Sequence, residues 1–286
     1  MNRLLKFLSA WVSLIFFLIF FISDASSAPP TVEITSKPEW VVSPTHRYTK
    51  PSAKTVNNGF RYSLTEEQIH VEKKSVFNRV IRDILSEAGV QNGADISLSF
   101  DPTYEKVEFH QLTVWRDNKQ INRLNKGVFK IVANEEELGN FLYHGRYTIW
   151  LVLNDIRKGD RIEYSYTITG SNPIFKNKFS RELYLQIYEP VAHCYVSLIA
   201  SKSRSLNIKT FGSAPKPKIT AVGDLKKYEW EMFDVPGELY EEYQPLWFNN
   251  LARVQVSEYK NWSDVIKWAL EINPIPTRLN GKLLAR

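Results

Sequence analysis

The sequence predicts a mainly β protein, a large antiparallel β-sandwich of the super-sandwich type with two short helices and a C-terminal helical segment. Many short stretches alternate apolar and polar side chains with a period of two, which is typical of strands that bury one face. Turn signals separate these stretches at short intervals, without the regular strand and helix alternation of an α/β fold. The clearest stretch is Arg161 to Ile168, in which every second side chain is a tyrosine or an isoleucine.

A β-hairpin is predicted around this stretch. The apolar run Ile149 to Leu153 comes before it, and Lys158, Gly159 and Asp160 lie between the two. Glycine tolerates a positive φ, and an aspartate side chain can bond the backbone two residues further on, so this tripeptide suits a tight turn. We therefore expect the two flanking strands to pair with each other at the centre of the domain.

Other strands are predicted on both sides of this hairpin. They lie near residues 60–71, 76–85, 96–100, 107–114, 179–187, 191–200, 206–211, 218–222, 227–233 and 255–260. The apolar phase slips by one within 107–114, which predicts a bulge near His110 or Gln111. Arg116 to Lys119 predicts a hairpin turn, because aspartate and asparagine tolerate the left-handed backbone region. Ala88 to Gly93 is also predicted to be a turn.

Two helices are predicted, one in the middle of the chain and one near its end. The first spans Asn134 to Leu142, with asparagine as N-cap and three glutamates in the first turn. The second spans Asn261 to Ile272, where Asn261 or Ser263 is the cap and prolines follow. Its apolar stripe consists of Trp262, Val265, Ile266, Trp268 and Ala269.

Residues 1–28 are predicted to be a secretory signal peptide. Basic Arg3 and Lys6 precede the apolar run Phe7 to Ile22, and small residues before Pro29 offer a cleavage site. The apolar run is nearly long enough to span a bilayer, so an uncleaved signal anchor that holds the protein on the membrane is the alternative. In both cases the domain is expected outside the cytoplasm, either periplasmic or secreted.

Three further segments follow the signal. Residues 29–58 contain five prolines and few apolar groups, and they are predicted to be an extended lead-in. Residues 59–260 are the predicted β-sandwich domain, and residues 261–286 are the C-terminal helix and a linker. A chain of this length can bury a large core as a single all-β unit.

The charge balance and the cysteine count limit the function further. The chain has 37 lysines and arginines against 31 aspartates and glutamates, a net charge of +6. This balance is only mildly basic, and no nucleic-acid partner is predicted. The single Cys194 cannot form an internal disulfide, and because it lies in an apolar run it is interpreted as a buried structural thiol.

No catalytic, metal or cofactor site is predicted. The histidines have no zinc-type spacing and no cysteine partner. They are His46, His70, His110, His144 and His193. The nucleophile elbow, the P-loop and the dinucleotide fingerprint do not occur in the sequence. The adjacent carboxylates Glu66 and Glu67 are interpreted as solvated surface.

A basic stretch from Lys202 to Lys227 is the first candidate partner surface. It carries seven basic residues against one aspartate. One interpretation is contact with an anionic envelope surface or an acidic partner. The other is that the lysines guard exposed strand edges against pairing with another chain.

An aromatic and acidic stretch from Glu238 to Phe248 is the second candidate surface. Exposed tyrosine and tryptophan can anchor a protein or stack on the sugar rings of an envelope glycan. The alternative is that these side chains fold back on the core as a lid. Together with two tryptophans of the C-terminal helix, the predicted partner-binding residues are Tyr240, Tyr243, Trp247, Trp262 and Trp268.

Several turn motifs resemble those of a bacterial family. In chain order they are Phe100-Asp101-Pro102 with Tyr104, Val114-x-Arg116-Asp117, Leu142-Tyr143-x-Gly145, Gly159-Asp160-x-Ile162-Glu163-Tyr164, and Gly170-x-Asn172-Pro173. Trp262 resembles the tryptophan that opens the junction helix of that family. The family is the domain of unknown function that lies N-terminal to transglutaminase-like modules in bacterial envelope proteins. The resemblance covers roughly Phe60 to Trp268.

This resemblance implies a large β-sandwich in front of a papain-type Cys-His-Asp domain. The sequence does not contain that domain and stops where the linker of the family would lead into it. No catalytic residue is therefore carried over, and Cys194 matches none of the active-site context of the family. Asn118 stands where the family usually has glycine after Arg-Asp, and asparagine can adopt the same turn conformation.

Two hypotheses about function follow. In the first, the chain is a non-catalytic extracytoplasmic module with an interaction or structural role and no cofactor. In the second, it is a truncated or split transglutaminase-like protein that binds its separate catalytic half through the helix of Trp262. A standalone module should bury or solvate the surface around Trp262, Trp268 and Leu279 to Leu284, whereas a fragment should leave an apolar patch open there. An independent hydrolase is a third hypothesis, but no activated nucleophile supports it.

Overall fold

Fifteen β-strands and two α-helices occur in the part of the chain that the structure describes. This computed structural model describes residues 30–46, 56, 58–134, 139, 145–238, 243, 245 and 248–274. The strands are β1 Glu33–Ile34, β2 Phe60–His70, β3 Ser75–Ile84, β4 Asp95–Phe100, β5 Glu105–Arg116, β6 Lys119–Asn122, β7 Phe129–Asn134, β8 Arg146–Val152, β9 Arg161–Gly170, β10 Ser180–Tyr184, β11 Val191–Ser201, β12 Asn207–Phe211, β13 Lys218–Val222, β14 Leu225–Val235 and β15 Arg253–Ser257. The helices are α1 Glu87–Gly93 and α2 Trp262–Ile272, and two 3-10 turns span Lys126–Val128 and Pro173–Phe175.

These strands form one large sheet of nine strands and two small sheets of three, which confirms the predicted mainly β class. The order in the large sheet is β1-β5-β9-β3-β2-β11-β14-β13, with β6 paired to β5. The first small sheet has the order β4-β8-β7, and the second has the order β10-β15-β12. β1 pairs in parallel with β5, and β2 with β11, so the large sheet is mixed where the sequence predicts an antiparallel one. Parallel partners need a long connection, and all of the first small sheet lies between β2 and β11 in the chain.

Each small sheet packs on the large sheet and encloses a hydrophobic core. The first core joins Leu151 of β8 to apolar side chains of β5 and β9, and the second joins Val254 of β15 to those of β11 and β14. Val80 contacts the first core and Val76 the second. Residues four apart on a strand share a face, so both small sheets cover the same face of the large sheet. The chain from Thr31 onward forms one compact unit.

The predicted hairpin between Ile149 to Leu153 and the strand β9 is wrong. β8 lies between β4 and β7 in the first small sheet, whereas β9 lies between β5 and β3 in the large sheet. The turn Lys158 to Asp160 carries the chain from one sheet to the other. Buried Asp160 anchors it, because its carboxylate accepts two bonds from the guanidinium of Arg116, at 2.7 and 2.8 Å, and one from the N–H of Arg157 at 2.8 Å. The turn signal therefore marks a change of direction without indicating which strands pair.

Two local predictions around β5 are confirmed. The register between β5 and β9 shifts between Phe109 and Gln111, which leaves His110 as the bulged residue. Asp117 and Asn118 connect β5 to β6 with φ angles of 49° and 62°, the left-handed values of a two-residue hairpin turn. Both features depend on neighbouring residues, which is why the local pattern predicts them.

The predicted turn at Ala88 to Gly93 is wrong, because this segment forms the short helix α1. Ser86 is its N-cap, and the hydroxyl accepts a hydrogen bond from the N–H of Gly89 at 3.3 Å. Glycine serves close packing here: a Cβ on Gly89 would lie 1.9 Å from the carbonyl oxygen of Gly59. The glycines of α1 thus indicate a close approach of two backbones rather than a reversal of the chain.

The C-terminal helix is confirmed. α2 begins at Trp262, and the side chain of Asn261 caps it by accepting the N–H of Asp264 at 3.1 Å. The other predicted helix cannot be compared in the same way. Asn134 is the last residue of β7, and most of the residues from there to Leu142 lie outside the described ranges.

The second face of the large sheet carries buried polar side chains among its apolar ones. Glu66 is 2% exposed and accepts a hydrogen bond from Gln68 at 2.6 Å. Arg79 lies 3.5 Å from Glu66 and donates to Glu163 at 2.9 Å. The prediction that Glu66 and Glu67 are solvated surface is therefore wrong for Glu66, because these neighbours compensate its buried charge.

Residues 40–46 of the predicted lead-in lie against this polar face, and Glu33–Ile34 of the lead-in is the edge strand β1 of the same sheet. The carbonyl of Val42 accepts a hydrogen bond from Gln68 at 3.0 Å, and the ring of His46 stacks on His193 with 6.0 Å between centroids. The lead-in thus contributes to burying the polar side chains. The predicted signal segment, residues 1–28, lies outside the described residues. Within the described ranges, no helix is both long enough and apolar enough to cross a membrane.

Candidate functional site

An open cleft separates the two small sheets above the middle of the large sheet. Its floor includes β3, an interior strand on which Val76, Asn78 and Val80 are only half-buried on the small-sheet face. Interior strands of layered folds are usually covered on both faces. The first small sheet packs mainly over β5 and β9 and the second over β11 and β14, and the centre between them stays open.

A cavity of about 600 Å³ lies at one end of this cleft. The turn between β2 and β3, the start of β5 and the segments that follow β9 and β11 converge there. Ile69, Val76, Phe175 and Phe179 form the apolar part of its wall. The rest of the wall is polar, so the cavity combines apolar surface with charge.

Basic side chains outnumber acidic ones in this wall. The charged residues that line it are Lys74, Lys178, Arg181 and Arg204, with Glu72 and Glu105. Among the described residues, Lys74 and Lys178 make no ion pair, and the ammonium of Lys178 lies 4.8 Å from the ring centre of Tyr259. The wall therefore has an excess of positive charge.

Both carboxylates of this wall are already bound. Glu72 accepts hydrogen bonds from the N–H of Ser201 at 2.8 Å and from Arg204 at 2.9 Å. Burial by itself would raise the pKa of Glu72, but these hydrogen bonds bring it below its ordinary value. Glu105 accepts the N–H of Asp101 at 2.7 Å. These two groups stabilise the connections around the cavity.

His70 follows Ile69 at the end of β2 and borders this cavity, with its ring on the face of the sheet that the lead-in covers. It is 6% exposed, and its Nδ1 has no hydrogen-bond partner among the described residues and lies 3.8 Å from a carboxylate oxygen of Glu72. Burial lowers the pKa of His70 more than Glu72 raises it, so the ring is neutral at neutral pH. Trp40 of the lead-in contacts the ring edge-on with 5.6 Å between centroids.

Three residues of the turn motifs, Tyr104, Gly170 and Asn172, also line the cavity. Gly170 has a φ of 128°, and a Cβ there would lie 1.8 Å from the carbonyl oxygen of Tyr104. Asn172 accepts the N–H of Ile174 at 3.0 Å and begins the 3-10 turn that ends at Phe175. Turn chemistry explains these residues, and their turns shape the wall.

A second cavity of about 180 Å³ lies further along the cleft. Glu67 lines it and pairs at 2.9 Å with Arg181, which lines the larger cavity. Cys194 also lines it but is only 3% exposed, and burial raises the pKa of its thiol to about 11. A thiol with this pKa is a poor nucleophile, as a buried structural cysteine should be.

The helix α2 lies beside the larger cavity and exposes a row of apolar side chains. Trp268 holds the helix in place, because its Nε1 donates to the carbonyl oxygen of Ile174 at 2.8 Å and its ring stacks on Phe175 at 5.5 Å. The exposed row faces away and consists of Trp262, Ile266 and Leu270, which are 80%, 56% and 46% exposed. Only part of the predicted apolar stripe is therefore packed on the described body.

The predicted loop residues are only partly described. Tyr243 is 94% exposed, whereas Tyr240 and Trp247 lie outside the described residues. Of the five predicted partner-binding residues, the structure thus places Trp262 and Tyr243 in solvent and Trp268 against the body.

Part of the basic stretch lies at an edge of the large sheet. β13 is the last strand there, and its Ile219 and Val222 are 57% and 53% exposed. Lys218 begins this edge strand and Lys216 lies just before it, which is where lysine discourages pairing with another chain. This interpretation fits these two lysines, whereas Arg204 lines the larger cavity and Lys226 and Lys227 belong to the interior strand β14.

Sequence reasoning missed most residues of the larger cavity. Glu72, Lys74 and Arg204 belong to turns that are far apart in the chain, and no local pattern joins them. The signals close to the site were Tyr104 and Gly170-x-Asn172-Pro173 among the turn motifs and Arg204 within the basic stretch. No group of three or more metal-binding side chains occurs within the described ranges.

The fold and the cleft define the class of this protein, a β-rich domain in which two small sheets share one face of a large sheet. A family described as a domain of unknown function with a solved structure, DUF3857, matches residues 71–238, more than half of the chain. The chain therefore belongs to the DUF3857 family. This confirms the resemblance to a domain of unknown function, and the link to transglutaminase-like modules stays a prediction. No curated protein matches the sequence.

One solved structure shares this fold within a longer protein. A "putative protease" from Parabacteroides distasonis is similar with a TM-score of 0.65 and 16% identity, over 75% of this chain and 43% of that protein. At this identity the likeness concerns the fold, and the chain spans less than half of that protein. Aminopeptidase A from Legionella pneumophila, in complex with aspartic acid, has a TM-score of 0.39 and 11% identity over 72% of this chain and 22% of that protein, which is too low to define a shared fold.

Proposed function

We propose that this chain is a non-catalytic, extracytoplasmic module that binds a partner protein through α2. The observation that carries the proposal is the exposed row of Trp262, Ile266 and Leu270. Apolar side chains one helical turn apart on an open helix face suit the apolar groove of a partner. The predicted signal segment, residues 1–28, supports a place outside the cytoplasm.

The attachment of α2 to the body suits a docking element. The ring of Trp268 lies 5.5 Å from that of Phe175 and 6.1 Å from that of Tyr259. Glu271 forms an ion pair with Lys176 at the other end of the helix. A helix that is already fixed loses little conformational entropy when a partner binds, which favours affinity.

The chemistry of the cleft supports binding rather than reaction. The pKa of Cys194 is raised to about 11, and Glu72 already accepts hydrogen bonds from Arg204 and a backbone N–H. An enzyme of the cysteine or serine type needs a nucleophile that an adjacent base activates. These residues do not form such a pair.

Crosslinking in living cells tests this proposal. A photoreactive amino acid at position 266 should capture one partner protein, identified by mass spectrometry, and the same group at position 224, in an exposed turn, should not. Trp262→Ser together with Leu270→Ser should reduce the yield at least about tenfold while the melting temperature changes little, because these side chains are exposed. Equal capture at both positions, or capture of a second copy of this chain, would refute it.

The same open row favours a second candidate function. In it, the chain is the leading module of a split or truncated transglutaminase-like protein, and the catalytic domain covers the apolar row on α2. Sequencing the coding DNA directly beyond Arg286 separates the candidates. A reading frame for a Cys-His-Asp domain supports the second candidate, and unrelated sequence supports the first.

A further inference from the structure

We propose that the larger cavity binds a small organic anion, a carboxylate attached to an apolar body. This site goes beyond the docking of α2, because the cavity is lined from the sheet and its turns and the exposed row on α2 faces elsewhere. A ligand of this class would use both kinds of surface that the cavity offers.

The size and the apolar wall fit a small molecule. The volume of about 600 Å³ lies within the range of about 300 to 1,000 Å³ that is usual for ligand sites. Ile69 is almost fully buried behind the floor, and Phe175, which is 40% exposed, offers an aromatic face at the side. When the apolar atoms of a ligand pack on such side chains, apolar surface is removed from water, which favours binding.

The positive charge of the wall selects for an anion. Arg181 is paired with Glu67, and Arg204 with Glu72 and Glu258, so the arginines are already engaged. The ammonium groups of Lys74 and Lys178 have no carboxylate partner among the described residues. They are the cations that a ligand carboxylate can pair with, and the low-dielectric wall strengthens this attraction.

The backbone holds Lys74 at the edge of the cavity. Lys74 has a φ of 49° in the turn between β2 and β3, and its carbonyl oxygen accepts the N–H of Gly170 at 2.8 Å. This bond continues the ladder between β3 and β9 and ties the turn to the end of β9. The lysine therefore starts from a fixed point instead of a mobile loop, which lowers the entropy cost of binding.

A matched pair of probes tests the proposal on the purified full chain. The probes are N-acetylphenylalanine, which carries the carboxylate, and N-acetylphenylalaninamide, which has the same body without the charge. Isothermal titration calorimetry should give binding of the acid at least about tenfold tighter than binding of the amide, since the amide loses the ion pairs. Added salt should weaken binding of the acid and not of the amide.

Variants locate the site. Lys74→Gln with Lys178→Gln should weaken binding of the acid about tenfold and leave the amide unchanged, whereas Lys216→Gln with Lys218→Gln, on the distant edge strand, should change neither. Val76→Phe should block both probes by filling the floor. Trp262→Ser should leave binding intact, which separates this site from the docking of α2.

Three results would overturn the proposal. Equal affinities for acid and amide would define an apolar pocket without charge selection. Unchanged binding in the Lys74 and Lys178 double variant would place the anion elsewhere. If the acid showed no saturable binding up to about 10 mM, its affinity would be weaker than that of an ordinary small ligand. The cavity would then not bind small organic anions of this class.

Discussion

The carboxylate of Asp83 holds three neighbours on the polar face of the large sheet. It is 5% exposed and accepts hydrogen bonds from Ser63 at 2.6 Å, from Arg161 at 2.8 Å and from Arg61 at 3.2 Å. The transfer of charged groups from water into a protein is costly unless opposite charges and hydrogen bonds compensate it. This one carboxylate therefore bonds both guanidinium groups on the polar face.

Asp83→Asn is expected to lower the free energy of unfolding by about 3 kcal/mol, because asparagine keeps the shape but removes the buried negative charge that pairs with the two guanidinium groups. Urea denaturation measures the change. Asp224→Asn is the matched control, since Asp224 lies exposed in the turn between β13 and β14, and its effect should stay below about 0.5 kcal/mol. Similar effects of the two substitutions would mean that the buried charge of Asp83 does not stabilise the sheet.

At the scale of an element, the turn between β5 and β6 offers a test of backbone conformation. Asn118 has a φ of 62° and is exposed, so its side chain packs little and its backbone preference dominates. Asn118→Gly should change the free energy of unfolding by less than about 0.5 kcal/mol, because glycine adopts this region freely. Asn118→Ala should lower it by about 1 kcal/mol, the usual cost of the left-handed region for a residue with a Cβ.

Thermal unfolding followed by circular dichroism distinguishes these two variants. Lys119→Ala, at the next position and with an ordinary strand backbone, is the control and should behave like the wild type. If alanine at position 118 were as stable as glycine, the left-handed backbone would not be the reason for asparagine at this turn.

Elements with a strong local pattern were predictable, and their partners were not. The alternation of β9, the bulge at His110 and the cap of Asn261 all depend on residues within one or two turns. The partner of β8 is decided by core packing between distant segments, so the turn at Lys158 to Asp160 wrongly predicts a hairpin. α1 was missed for a related reason. Glycine is required at position 89 because the backbone of Gly59, distant in the sequence, packs closely against it.

Burial of polar groups was also beyond the local pattern. An alternating strand predicts one dry face and one wet face, and Glu66 falls on the face expected to be wet. The structure buries it, because Arg79 and Gln68 compensate its charge and the lead-in lies against that face. The larger cavity escaped prediction for the same reason, since its lining comes from connections that meet only in the folded chain.

At the scale of the whole molecule, the large sheet has two different coverings. The two small sheets cover one face with apolar cores, and residues 40–46 lie along the other face, which is polar. Polar contacts of this kind are directional and respond to protonation, whereas apolar cores do not. The stability of the lead-in contacts should therefore depend on pH.

His46 is the group in the lead-in that should respond most. Both of its ring nitrogens are buried without a hydrogen-bond partner among the described residues, and the ring stacks on His193 at 6.0 Å. Burial first, and then the positive charges of His193, Arg161 and Arg79, lower the pKa of His46 from 6.5 to about 4, against a smaller opposing effect of Asp83. Protonation thus opposes folding. The stabilisation from the neutral ring is complete above pH 6.5 and is lost as the pH falls from 6.5 towards about 4.

When the pH is lowered from 7 to 5, the free energy of unfolding should therefore fall by about 1 kcal/mol more in the wild type than in His46→Phe. This value allows for the partly exposed ring. Urea denaturation at a series of pH values measures the difference. His70 and His110, whose pKa values burial also lowers, add the same slope to both proteins and cancel in the comparison.

His46→Asn is the control for the loss of stacking: it should be less stable than His46→Phe at every pH but share its flatter profile. Parallel profiles for the wild type and both variants would mean that the lead-in does not bury His46 in its neutral form.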